Sequence, residues 1–238
     1  MVNFMIKNEV AKINNFDWTI LHEAVERGHT EMVKYLVHGS FFDRPLRITE
    51  SQHRWNPIHL ASKNGNLEIM KILTNWKPSQ SRFCQSKSIM DVSEYSQDNS
   101  KNSPLHLALK NGHFDMVKFL IENVEARFIG VSDDFRRNAI HTAAKIGHVE
   151  ILKMLYRKIE YKGKVFLKDW VDNTPLHLAA EFGHFECIKF LMKFEPNWHI
   201  AKSSRNKYGS TPFDLAEEKG FLEIVEYLNS VVTKTNCK

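Results

Sequence analysis

One short pattern recurs six times along the chain and limits what it can fold into. It reads Thr19-Ile20-Leu21-His22, Asn56-Pro57-Ile58-His59, Ser103-Pro104-Leu105-His106, Asn138-Ala139-Ile140-His141, Thr174-Pro175-Leu176-His177 and Thr211-Pro212-Phe213-Asp214. The intervals between the fourth residues are 37, 47, 35, 36 and 37, and six residues beyond each stands a glycine: Gly28, Gly65, Gly112, Gly147, Gly183 and Gly220. A fixed period of this size belongs to repeat architectures, in which each copy is one supersecondary unit.

The unit can be read from its chemistry. Each pattern opens on Thr, Asn or Ser, whose side chains accept hydrogen bonds from the orphan N–H groups at a helix start. Pro57, Pro104, Pro175 and Pro212 follow at the first helical position, where a missing N–H costs nothing. About two turns later the glycine supplies the left-handed conformation of a helix stop. A second helix is predicted at once, because an acid sits three residues past each glycine (Glu31, Glu68, Asp115, Glu150, Glu186, Glu223), near the positive end of the helix dipole. Apolar residues with helical spacing follow, as in Met32, Val33, Tyr35 and Leu36, or Ile224, Val225, Tyr227 and Leu228. A helical hairpin this small cannot bury its own apolar stripe, so copies must stack and share a core. The expected fold is an all-α-dominated solenoid.

The pattern resembles the ankyrin repeat family, whose motif of Thr-Pro-Leu-His, two small residues and Gly-His is matched almost letter for letter by residues 174–184. The resemblance covers about residues 14–232, as six repeats at approximately 14–50, 51–97, 98–132, 133–168, 169–205 and 206–232. It implies helix pairs with β-hairpin or loop fingers, stacked into a curved array with a concave face. Residues 1–13 are expected to cap the first repeat, and 233–238 form a tail.

The sequence departs from the family in two ways. Extra length falls between the second helix and the next pattern, most of all in residues 76–97; residues 79–103 hold eight serines. This reads as a solvated loop without a regulatory role, phosphorylation being the alternative. The family also prefers glycine in the finger turn, five residues before the anchor, and only Gly209 complies; Asp17, Arg54, Lys101, Arg136 and Asp172 occupy the other copies. Either these turns differ or the cations are wanted for another reason, since Arg or Lys at positive φ costs on the order of 1 kcal/mol. The last copy carries Asp214, Glu217, Glu218 and Glu226, the marks of a polar cap.

Twelve histidines suggest metal or acid–base chemistry until their places are noted. Five (His22, His59, His106, His141, His177) hold the anchor and four (His29, His113, His148, His184) follow the glycine. The family resemblance makes the anchor histidines structural, tying the turns of adjacent units. His22-Glu23-Ala24-Val25-Glu26 lacks the second histidine of a zinc-protease helix, and no phosphate loop, dinucleotide fingerprint or nucleophile elbow is present. The expectation is a protein that is not an enzyme, with no cofactor, no metal site and no small-molecule substrate. Three scattered cysteines, Cys84, Cys187 and Cys237, make no disulfide framework. No signal peptide or membrane-length apolar run is visible, so the chain reads as soluble and cytoplasmic, with the nucleus as the alternative compartment.

What remains is surface. In the family, partners are met by the two residues before the glycine and by the finger tips. The first of these positions runs Glu26, Lys63, Lys110, Lys145, Glu181, Glu218; the second runs Arg27, Asn64, Asn111, Ile146, Phe182, Lys219. Finger positions add Arg54, Lys101, Arg136 and Arg137, and Trp170 and Phe135 stand near finger tips. The pattern is basic in the centre, acidic at the flanks, and apolar toward repeats four and five. The expected function is a monomeric protein–protein interaction module, an adaptor, scaffold or inhibitor, whose partner presents an acidic or phosphorylated segment. A net charge of +5 and the absence of an aromatic–basic motif disfavour nucleic acid. The alternative setting is the repeat domain of a larger protein, such as a ubiquitin-ligase adaptor or the cytoplasmic region of a channel, or a pathogen effector. A repeat signature already present by Asn14 favours a fragment or a minimal adaptor.

Overall fold

The computed structural model describes residues 18–38, 49, 52–75, 97–123, 130–158, 168–194 and 203–233. The expected cap at 1–13, most of the serine-rich insertion, and Asp17 lie outside the described residues. Twelve helices are present among those described, in six pairs: α1 (Ile20–Glu26) with α2 (Thr30–His38), α3 (Pro57–Asn64) with α4 (Leu67–Asn75), α5 (Pro104–Lys110) with α6 (Phe114–Asn123), α7 (Ala139–Ile146) with α8 (Val149–Lys158), α9 (Pro175–Glu181) with α10 (Phe185–Phe194), and α11 (Pro212–Glu218) with α12 (Leu222–Thr233). No strand occurs among the described residues. The chain divides into two compact units of three pairs each, residues 1–128 and 129–238.

Five of the six copies start on a capping box with an unusual member, and in the fourth the Asn138 side chain accepts from the N–H groups of Ile140 and His141 without the reciprocal bond. The N-cap side chains of Thr19, Asn56, Ser103 and Thr211 accept from the backbone N–H three residues on, and that third residue is the anchor. The ring Nδ1 of His22, His59, His106 and His177 in turn accepts from the N-cap backbone N–H at 3.2–3.3 Å. Histidine thus takes the place usually held by Glu or Gln. With Nδ1 accepting, the proton sits on Nε2, which donates to a carbonyl of the next copy: His22 to Trp55 O at 3.1 Å and His177 to Ser210 O at 3.2 Å. In the last copy the Asp214 carboxylate accepts the Thr211 N–H at 2.8 Å. It keeps the cap and gives up the reach to a following copy.

The stop is equally regular. All six motif glycines have φ between +71° and +79°, and the N–H after each returns to an alanine carbonyl: Ala24, Ala61, Ala108, Ala143, Ala179 or Ala216, at 2.8–3.1 Å. These are the long bonds of a Schellman stop. The same alanines are at most 3% exposed, because their small side chains let neighbouring inner helices approach.

In the first unit α1, α3 and α5 pack side by side, and α2 packs on α4. In the second unit α7, α9 and α11 form the inner row while α8, α10 and α12 form the outer one. The core lies between the rows and contains Leu21, Val33, Leu60, Ile69, Leu73 and Leu109 in one unit, and Ile140, Ile151, Leu152, Leu176, Ile188 and Leu191 in the other, all at most 1% exposed. Burying each such side chain contributes about 1.5–3 kcal/mol.

The fingers are tight turns. Asp98, Asp133, Asp169 and Asn206, each eight residues before an anchor, use one side-chain oxygen to accept the N–H groups two and four residues on, at 2.8–3.0 Å. The fourth turn residue has positive φ in every finger among the described residues: Lys101 (+55°), Arg136 (+57°), Asp172 (+62°) and Gly209 (+80°), and Arg54 (+59°) occupies the same register. The described turns therefore do not differ at this position, and Arg54, Lys101 and Arg136 stand where glycine would be less strained. One backbone bond joins neighbouring fingers within a unit: Asn99 N–H to His53 O, Trp170 N–H to Phe135 O, and Lys207 N–H to Val171 O, at 2.8–2.9 Å.

Candidate partner-binding surface

The inner-helix ends and fingers carry every residue singled out for binding, and each unit arranges them differently. In the first unit Lys63 Nζ lies 3.3 Å from Glu26 and 4.9 Å from the centre of the Trp55 ring. Asn64 Nδ2 donates to the same Glu26 carboxylate at 2.9 Å. Lys110 Nζ donates to Asn102 Oδ1. Arg54 and Lys101 are exposed at the fingers. Trp55 Nε1 donates to Asp98 Oδ2 at 3.1 Å, and His53 stacks on Trp55 at 4.3 Å. Lys63 and Lys110 are thus engaged with neighbours of their own unit.

The second unit is more apolar and more open. Phe135 (50% exposed) and Trp170 (56%) stack with ring centres 6.2 Å apart, and Phe182 (43%) and Ile146 (36%) project from the helix ends. A cavity of about 340 Å³ is lined by Phe135, Trp170 and Phe182 together with Leu178 and the charged Arg137, Lys145, Asp169 and Glu181. The ammonium of Lys145 sits 5.1 Å from the Phe182 ring centre, a favourable cation–π placement. Arg136 is exposed.

Arg137 has a different place from the other finger cations. Its side chain is only 18% exposed, reaches Asp133 at 3.2 Å, and lies over the Phe135 ring at 4.5 Å. It is a strut of the finger. The Asp169 carboxyl is held above the ordinary range by burial, against which the N–H groups of Asn173 and Val171 act.

The post-glycine histidines position the lysines. His113 Nε2 bonds to Lys63 O, and His184 Nε2 to Lys145 O, both at 2.8 Å. One copy thereby fixes the helix end of its neighbour, while His148 Nδ1 accepts from Ile151 N–H and caps its own helix. The anchor histidines are fully buried, at most 1% exposed. Burial pushes His177 down to about 4, with the Ser210 carbonyl acting the other way, so the ring is neutral in the folded protein. Burial also pushes the Cys187 thiol up to about 12, far from a reactive thiolate. Among the described residues no three or more His, Cys, Asp and Glu side chains gather as a metal site, and no described helix is long and apolar enough to cross a membrane.

The sequence reading anticipated the ties of the anchor histidines but missed the finger Asp/Asn residues and the ties made by His113 and His184. A signal for the finger residues was present: Asp98, Asp133, Asp169 and Asn206 recur at one fixed distance from the anchors. The His113 and His184 ties depend on ring direction, which spacing does not reveal.

Comparison with known proteins agrees with this geometry. The sequence profile described as Ankyrin repeats (3 copies) matches residues 1–82, 85–169 and 159–237. The chain belongs to the ankyrin repeat family, a class of stacked helical units that generally serve as protein–protein interaction modules. An ankyrin repeat-containing protein of Arabidopsis thaliana is 36% identical over 73 residues, 31% of this chain and 14% of that protein. The matched segment thus spans about one seventh of that relative's length.

Proposed function

We propose that this chain is an adaptor or inhibitor that acts by binding another protein through its inner-helix ends and finger tips, without catalysing a reaction. The observation that carries the reading is the open cleft of the second unit. Phe135, Trp170 and Phe182 are each 43–56% exposed around one cavity, although buried aromatic side chains contribute strongly to a stable core and exposed ones recur as interface anchors. Lys63, Lys110 and Lys145 hold one register position in three successive copies, and opposite charge on a partner would raise the rate of encounter. An acidic or phosphorylated segment suits that register.

The fixed motif supports the same division of labour. The histidines, glycines and caps hold the stack together, and the variable helix ends select the partner. The test is affinity capture with the wild-type chain and with the variant K63E/K110E/K145E, followed by mass spectrometry. The reading expects one partner to be lost from the variant while the helical content is unchanged. Capture of the same partners in equal amount by both would refute it.

A further inference from the structure

Two half-buried charges at the cleft of the second unit have no charged partner among the described residues. Among the described residues Lys145 has no ion-pair partner and rests only on the Phe182 ring, 5.1 Å away. The Glu181 side chain has neither an ion pair nor a hydrogen bond among the described residues. The other two charges at the cleft are committed: Arg137 to Asp133 at 3.2 Å, and Asp169 to the N–H groups of Val171 and Asn173 at 2.8–2.9 Å.

The first unit shows what these register positions do when closed. There Glu26 and Lys63, in the first and second copies, approach to 3.3 Å, and Asn64 donates a further bond to Glu26 at 2.9 Å. In the fourth and fifth copies the charges are exchanged, as Lys145 and Glu181, and Phe182 stands in the place of Asn64. The ring draws the ammonium to its own face and offers Glu181 no donor. The result is an open pair beside an aromatic cavity.

We infer that this cleft receives a partner segment in which one large apolar side chain is flanked by an acidic residue on one side and a basic residue on the other. The inference rests on the reading that a protein docks here and refines it. The cavity of about 340 Å³ is at the small end of ligand sites, roughly 300–1000 Å³, suited to one large side chain and its flanks. A carboxylate on the segment would meet Lys145, and a cation would meet Glu181. A segment acidic on both sides would bring like charge onto Glu181, which interfaces avoid. The two lips differ in sign, so they also fix the direction in which the segment lies.

The test uses the full chain, labelled with nitrogen-15, and three blocked peptides: Gly-Ser-Glu-Phe-Arg-Ser-Gly, the reversed Gly-Ser-Arg-Phe-Glu-Ser-Gly, and Gly-Ser-Glu-Phe-Glu-Ser-Gly. Binding is read from the indole resonance of Trp170. One mixed-charge order is expected to bind about tenfold more tightly than either other peptide, equivalent to about 1.4 kcal/mol. The variant K145E should remove that preference, and K145E/E181K should transfer it to the opposite order. Equal binding of the mixed and doubly acidic peptides, a preference unmoved by the charge swap, or no Trp170 shift at millimolar peptide would overturn the inference. A concentration-dependent change in sedimentation that disappears in W170A would assign the cleft to a second copy of this chain and overturn it too. If the peptides fail to discriminate while K63E/K110E/K145E still loses its captured partner, the cleft inference falls and the docking reading stands.

Discussion

Gly65 and Gly112 occupy the same position in consecutive copies of one unit, with φ of +71° and +74°, yet alanine should affect them very differently. A Cβ on Gly112 meets nothing within 4 Å, whereas a Cβ on Gly65 falls 2.4 Å from His113 Nδ1 and 2.6 Å from its Cγ. Both substitutions bear the left-handed strain, about 1 kcal/mol. Gly65→Ala must also displace a half-buried ring, which costs about 1–3 kcal/mol by overpacking, and must break the His113 bond to Lys63 O, worth about 1 kcal/mol. The expected losses are about 1 kcal/mol for Gly112→Ala and about 3–5 kcal/mol for Gly65→Ala. Urea unfolding followed by circular dichroism measures both in one unit, with the slope as a check on two-state behaviour. Adding His113→Ala should recover part of the Gly65→Ala loss, a coupling of at least 1 kcal/mol in a double-mutant cycle. Equal destabilisation by the two alanines, or strict additivity with His113→Ala, would refute the idea that the histidine locks one copy onto the next.

The buried neutral His177 makes the second unit sensitive to acid. Burial lowers its pKa from the ordinary 6.5 to about 4 in the folded protein, so between those values the unfolded chain binds more protons and stability falls as pH is lowered. About 2 kcal/mol should be lost between pH 7 and pH 5, read as a shift of the urea midpoint that is much smaller in His177→Gln. Asp98→Ala removes the acceptor for Ser100 N–H, Asn102 N–H and Trp55 Nε1; leaving buried donors unmet costs about 2–3 kcal/mol, seen in the same assay. Ser103→Ala deletes a helix cap and should cost about 1 kcal/mol.

Much of the fold was legible because its determinants are local. Caps, prolines, glycine stops and the apolar stripe each follow from backbone geometry within one copy, and the structure places all six helix pairs where those signals stand. The anchor histidines were also legible as structural, since their number tracks the copies. The charge states of the surface were less so. Lys63 and Lys145 are equivalent in sequence, but one closes on Glu26 and the other lies on Phe182, a difference set by whether Asn64 or Phe182 stands beside the pair. Arg137 reads as an exposed cation and proves to be held by Asp133 and Phe135. Such outcomes depend on side-chain contacts between copies, which a list of register positions does not contain. The fingers were half legible: the left-handed position was visible through Gly209, and only the backbone angles show that Arg54, Lys101 and Arg136 share it.

The measurement that bears most directly on the binding reading is hydrogen exchange of the full chain with and without its captured partner. Partner docking at helix ends and fingers predicts slower exchange at Ile146–Gly147, Phe182–Gly183 and the turns holding Phe135 and Trp170, with the outer helices α8 and α10 unchanged. Protection confined to the outer face of α8 and α10, with the cleft exchanging as before, would contradict it.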